Sequence, residues 1–173
     1  NEVFINEIHY SNAGTDGNEF VEVAGPAGTD LTGWQLVFYN GFNNNSYDAK
    51  NLLGVIPDEG GGFGAIAFPV ANIQNGASDG VALYDSNRSL VLEFLSYEGV
   101  ITAGDGVAAG LTSIDVGVAE SDISTPIDHS IQRSGTGVNG HEFSWLAPSA
   151  ASPGVINVGQ VIQAGGSGDF AVD

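Results

Sequence analysis

Val81-Ala82-Leu83-Tyr84-Asp85 and Ser89-Leu90-Val91-Leu92-Glu93-Phe94-Leu95 stand on either side of a short polar turn, Ser86-Asn87-Arg88. Two runs rich in aliphatic and aromatic residues, separated by three turn-forming residues, predict an antiparallel hairpin. The same pattern recurs upstream. Residues 2–8, 19–23 and 34–39 read as strands, the last closed by the hairpin dipeptide Asn40-Gly41. A polar loop at 43–46 leads to a fourth strand over 47–55, and residues 63–68 form a fifth, ended by Pro69. Downstream of the hairpin the pattern weakens over 99–128 into a long excursion with at most a short helix around 107–111. Residues 130–133 and 142–145 supply the last strands. Apolar residues recur with period two or in short solid runs bounded by Gly, Asn and Asp, and no helical period of useful length appears. The strand number and turn spacing predict an all-β chain, an immunoglobulin-like antiparallel β-sandwich.

The chain has 173 residues, enough for one domain with a core that needs no cross-links. It has no cysteine, which excludes disulfides, thiol catalysis and thiolate zinc sites. Ser152-Pro153-Gly154 breaks the strand pattern, and from Gly159 the chain turns Gly/Ser-rich. The expectation is a sandwich over 1–158 and a linker or tail over 159–173, leading to other domains of the same polypeptide. Acidic residues number 21 against three basic ones, Lys50, Arg88 and Arg133, for a net charge of −18. Such a chain cannot displace counterions from a phosphate backbone, so direct nucleic acid binding is not expected. No apolar run approaches the ~18 residues of a membrane-spanning helix, so membrane insertion is not expected either. The chain opens directly on the strand-like residues 2–8, as a mature exported protein or an excised domain would.

Taken in order, Phe4-Ile5-Asn6-Glu7-Ile8, Glu19-Phe20-Val21-Glu22-Val23 and Asp30-Leu31-Thr32-Gly33-Trp34-Gln35-Leu36 resemble the opening of the lamin-tail domain family. Asp79-Gly80-Val81-Ala82-Leu83-Tyr84-Asp85, Ser130-Ile131-Gln132-Arg133, Trp145 and Ser152-Pro153-Gly154-Val155-Ile156-Asn157 continue the family's order, so the resemblance runs from residue 2 to about 158. The wording is most similar to bacterial copies in exported proteins, often joined to nuclease or phosphatase domains. The resemblance implies a lamin-tail type of immunoglobulin-like sandwich and no catalytic residues. It also implies an accessory role, positioning or targeting a partner domain or meeting cell-surface and extracellular components, in a secreted or surface location. The acidity departs from lamin tails that meet chromatin, so DNA binding does not carry over. Trp34 is expected between the sheets, Gly33 in a turn that favours glycine, and Trp145 at the edge of the core.

Candidate chemistry is sparse. Asp128-His129-Ser130 are neighbours, but adjacent residues on an extended chain point apart, and His9 and His141 stand alone. Gly135-Thr136-Gly137-Val138-Asn139-Gly140 matches a dinucleotide fingerprint in letters only, because a strand-like 143–145 follows where a helix is needed. Calcium is the cofactor that the acidic loops would suit: Asp16, Asn18 and Glu19 in one loop and Asp85 and Asn87 in another offer alternating oxygens. Glu7, Glu19 and Glu22 on adjoining strands could form a composite site. Two other readings stay open beside the accessory module. One is a structural or adhesive surface module stiffened by divalent ions. The other is a carbohydrate-binding module using Tyr10, Tyr39, Phe42, Tyr47 and Tyr97 as a stacking platform.

Overall fold

The computed structural model describes residues 1–166. Its strands are β1 (Phe4–His9), β2 (Phe20–Pro26), β3 (Trp34–Asn40), β4 (Asn45–Asn51), β5 (Phe63–Pro69), β6 (Asp79–Asp85), β7 (Leu90–Tyr97), β8 (Ile114–Asp115), β9 (His129–Gly137), β10 (Ser144–Ala150) and β11 (Gln160–Ile162). One sheet runs β10-β9-β1-β2-β5, with β11 added to β9; the other runs β4-β3-β6-β7-β8. Neighbours are antiparallel except at two additions, β8 on β7 and β11 on β9, which are parallel. The two sheets pack face to face as an immunoglobulin-like β-sandwich. The 81–95 hairpin forms as expected, with β6 and β7 paired along their length.

Alternate residues of each sheet meet in the middle: Ile5, Ile8, Val21, Val23 and Ile131 from the first, and Trp34, Leu36, Phe38, Val81 and Leu83 from the second. The Tyr10 and Tyr97 rings stack 3.8 Å apart within this core. Trp34 is 5% exposed, and Gly33 before it has φ +86°, the left-handed conformation that glycine adopts cheaply. Both outer faces are covered as well. Val37, Tyr39, Ala82 and Phe94 lie under Ile101, Ala103 and Ala108 of the long excursion. Phe4, Ala24 and Ala65 lie under Phe143, Ile156 and Ile162. Sheets buried on both faces lose the clean apolar–polar alternation; all six residues of β1 are buried.

Several boundaries differ from the sequence reading. No helix forms near 107–111. Gly106 and Gly110 sit at φ +66° and +82°, and the segment closes instead through turn hydrogen bonds such as Leu111 N to Ala108 O. The fourth strand ends at Asn51 and not at 55, because the chain swings away at Gly54, φ +103°. The last antiparallel strand starts at Ser144, because a turn of 3-10 helix occupies Gly140–Glu142. Of the segment read as linker, residues 160–162 form β11 against residues 135–137 of β9. Residues 167–173 lie outside the described residues.

Candidate functional site

β8 is two residues long and pairs with Leu95 and Ser96, so among the described residues the β7 side of the second sheet stays uncovered over residues 90–94. Across from it stand β9 and β10 of the first sheet. The sandwich is therefore open along this side, in a cleft of ≈ 790 Å³. Leu90, Leu92, Ile114 and Val116 form one wall, and Phe143 and Trp145 stand on the other. Leu90 and Ile114 are exposed. Trp145 is half-buried against the core, so it ends the core, as expected, and also faces this opening.

The cleft floor is a polar rivet between the sheets. Glu93 of β7 accepts from Arg133 of β9 (Nη2 to Oε1, 2.8 Å; Nη1 to Oε2, 3.2 Å) and from the Ile5 amide of β1 at 2.7 Å. Arg133 Nη1 also donates to the Ile5 carbonyl at 2.7 Å, and its guanidinium lies 5.0 Å from the Trp145 ring and 5.4 Å from Phe4. A fork of donors matched to a carboxylate, stacked between aromatic faces, is the geometry at which Arg surpasses Lys. Gly140 completes the arrangement. A Cβ there would lie 2.6 Å from Arg133 Nη1, 2.7 Å from Phe4 Cβ and 3.0 Å from Glu93 Oε1, so the 3-10 turn can approach the rivet only as glycine.

The outer face of the first sheet gathers the titratable groups. Glu7 and Glu22 are cross-strand neighbours, both fully buried. Glu7 accepts from the Ser130 hydroxyl at 2.5 Å and from the Ser152 amide at 2.8 Å. Glu22 accepts from Asn6 Nδ2 at 3.0 Å and the Gly154 amide at 2.7 Å. Burial pushes the Glu22 carboxyl up to about 8, with Glu7 adding repulsion and the two hydrogen bonds opposing, and burial raises Glu7 as well. These carboxylates clamp the strap that follows β10 onto the sheet.

At the far end of β1, Glu120 binds three groups at once: the amides of Tyr10 (2.6 Å) and Ser11 (2.7 Å), and His9 Nδ1 (2.8 Å). His9 Nε2 faces the Gly17 carbonyl at 3.0 Å. Both partners of the ring are acceptors, so both bonds form only when the imidazole carries two protons. Burial pulls the His9 pKa down, but the hydrogen bond and charge of Glu120 outweigh it and hold it above the ordinary value. This His9 has no free nitrogen with which to take a proton from a nucleophile.

Of the residues singled out as metal ligands, Asp16, Glu19 and Asp85 accept from loop groups, while Glu19 Oε1 is buried without a hydrogen-bond partner among the described residues. Asp16 accepts from the Asn12 amide and from Asn75 Nδ2, both at 2.9 Å; Glu19 accepts from the Asn72 amide at 2.9 Å; Asn18 takes a left-handed φ of 56°. In the other loop, Asp85 binds Arg88 Nε at 2.7 Å, which with Asn87 outweighs the upward pull of burial and holds its carboxyl below the usual range. Asn87 Nδ2 donates to the Thr32 carbonyl across Gly33. Among the described residues no three His, Asp or Glu side chains come together to hold an ion. The composite of Glu7, Glu19 and Glu22 does not come together: Glu19 accepts from Asn72 in the connection between β5 and β6, while the other two hold the strap.

The aromatic platform also separates. Tyr10, Tyr39 and Tyr97 are fully buried and Tyr47 half-buried, which leaves Phe42 exposed by itself. Asp128 touches His129 (3.0 Å), but the Ser130 hydroxyl turns away to Glu7, so the three form no triad. The glycine run starts inside β9 and ends in the single 3-10 turn rather than a longer helix. The sequence reading missed Glu93, Arg133 and Glu120 as organising residues. A charged residue inside an otherwise apolar run was the signal at Glu93, and the scarcity of arginine was the signal at Arg133; Glu120, in a featureless loop, carried none. No known protein family, no curated protein and no solved structure matches the chain.

Proposed function

We propose that this chain is a non-catalytic recognition module, an accessory part of a larger exported protein of the kind that the lamin-tail resemblance implies, and that it works through the cleft beside β7. The observation that carries this reading is the cleft itself: a concave apolar surface left open in a sandwich whose other faces are covered. Concave, largely apolar surfaces with a few fixed polar groups are where proteins take ligands and partners. The buried histidine and carboxylates support the non-catalytic half of the reading, because each is engaged in holding loops and strap. The exported setting rests on the resemblance, and the acidic surface suits it.

Nile red, a neutral dye that brightens in apolar surroundings, tests the cleft. It is expected to bind the folded chain and to lose most of its signal in Ile114→Asn, which leaves the fold intact because the residue is exposed. A dark dye with the wild-type chain would remove the basis of the reading. Esterase, nuclease or phosphatase turnover that disappears in His9→Ala would contradict its non-catalytic half.

A further inference from the structure

We infer that the cleft receives an extended polypeptide segment of basic and apolar residues, which adds to the second sheet as a strand along residues 90–94 of β7. The inference rests on the cleft being the working surface, and it specifies the partner.

The first support is the backbone. In an antiparallel pair, alternate residues turn their N–H and C=O groups to the partner strand and the others turn theirs away. β6 satisfies one edge of β7. On the other edge β8 meets only Leu95 and Ser96, and among the described residues no backbone hydrogen bond reaches residues 90–94 from that side. An open edge is a template for another strand.

The second support is how the other edges differ. β4 is polar, with Asp48 and Lys50, and partly or fully exposed along its length. β10 carries Pro148, which has no amide to donate, and a register shift between Leu146 and Ser149. β5 is backed by its own loop, where Glu59 N donates to the Phe63 carbonyl and Gly64 packs on Pro57. Only β7 offers Leu90, Val91 and Leu92 beside an apolar trough. A strand laid there would turn alternate side chains into the trough and the rest to solvent.

Charge selects the partner. Glu2, Glu93 and Asp115 line the cleft; Glu93 is locked to Arg133 and Glu2 to Arg88, so among the described residues Asp115 is the carboxylate of this lining without a cationic partner. The whole chain carries −18, so its field gathers cations. A second copy of the chain would bring another −18 to the same edge and is repelled. An extended segment whose outward residues are Lys or Arg meets the exposed Asp115 on the rim and the field of the chain's excess carboxylates.

The test uses the full chain, labelled with 15N, and a short synthetic peptide in which valine alternates with lysine and threonine. The peptide is expected to shift the amide signals of residues 90–94 and of Ile114 and Asp115, and to displace Nile red. The same peptide with glutamate for lysine should bind at least about tenfold more weakly, and a version N-methylated at alternate amides should lose binding, since it cannot pair as a strand. Dye bound in the cleft but no shifts with the peptide would overturn the strand partner while leaving the recognition reading in place. Shifts located elsewhere, equal binding of the glutamate or N-methylated peptide, or self-association through the β7 edge would each overturn it too. Failure of the dye to bind would remove both.

Discussion

On the outer face of the first sheet, Glu7, Glu22, His9 and Glu120 are out of solvent, each turned to backbone or side-chain partners that fix a loop or the strap. In the cleft beside β7 the arrangement is reversed: aliphatic side chains are left to water and half a strand edge is left unpaired. The first region has the residue types of chemistry and uses them for architecture. The second has residues that ordinarily build a core and leaves several of them exposed. The proposed function accordingly rests on the uncovered apolar trough and not on the cluster of acids and a histidine.

Removing a member of the buried polar region should have the largest effect. Glu120→Ala leaves a buried imidazolium and two strand-end amides without their acceptor, and should cost about 3–5 kcal/mol in urea unfolding. A loss below about 1 kcal/mol would mean that the loop holding Glu120 is not docked on β1. Gly140→Ala forces a methyl group against the Arg133–Glu93 rivet and should cost about 1–3 kcal/mol through overpacking. A neutral outcome would show that the 3-10 turn can retreat from the rivet.

The pH dependence originates in the strap. The Glu22 carboxyl has an ordinary pKa near 4.5 and about 8 in the folded chain, so the folded state holds a proton that the unfolded state releases between these values. Its contribution to stability is complete below about pH 4.5 and is lost as pH rises to about 8. Glu7 and His9, both raised, act with the same sign, His9 from about pH 6.5 upward. The melting temperature should fall between about pH 5 and pH 9, and Glu22→Gln should flatten that fall, most visibly below about pH 6.5. An unchanged slope would show that Glu22 is ionised in the folded chain at all these pH values. The smallest stability effect belongs to the cleft: Ile114→Asn should stay within about 0.5 kcal/mol of wild type while abolishing most dye binding.

Much of the fold was legible because it depends on local signals. The short apolar runs and the left-handed glycine before Trp34 specified strands, and the turn between β6 and β7 specified the pairing of those two. The illegible part depends on pieces far apart in sequence. Glu120 meets Tyr10 at a separation of 110 residues, and Glu93 meets Arg133 at 40. Such pairs leave no periodic trace. Asp16, Glu19 and Asp85 read as ion ligands in the sequence, which cannot show that they also accept from loop amides, because acidic residues in loops suit both uses. The cleft was invisible for a further reason. It exists because β8 stops after two residues, and no residue type marks the place where a strand fails to continue.

Residue-resolved hydrogen exchange under native conditions tests the central contrast in a single experiment. The amides of Tyr10, Ser11, Ser152 and Gly154, held by buried carboxylates, should exchange slowly, at or near the rate of global unfolding. Alternate amides of residues 90–94, facing the open edge, should exchange orders of magnitude faster. Equal protection of the two sets would contradict the account, because it would mean that the β7 edge is already covered and has no place for a partner.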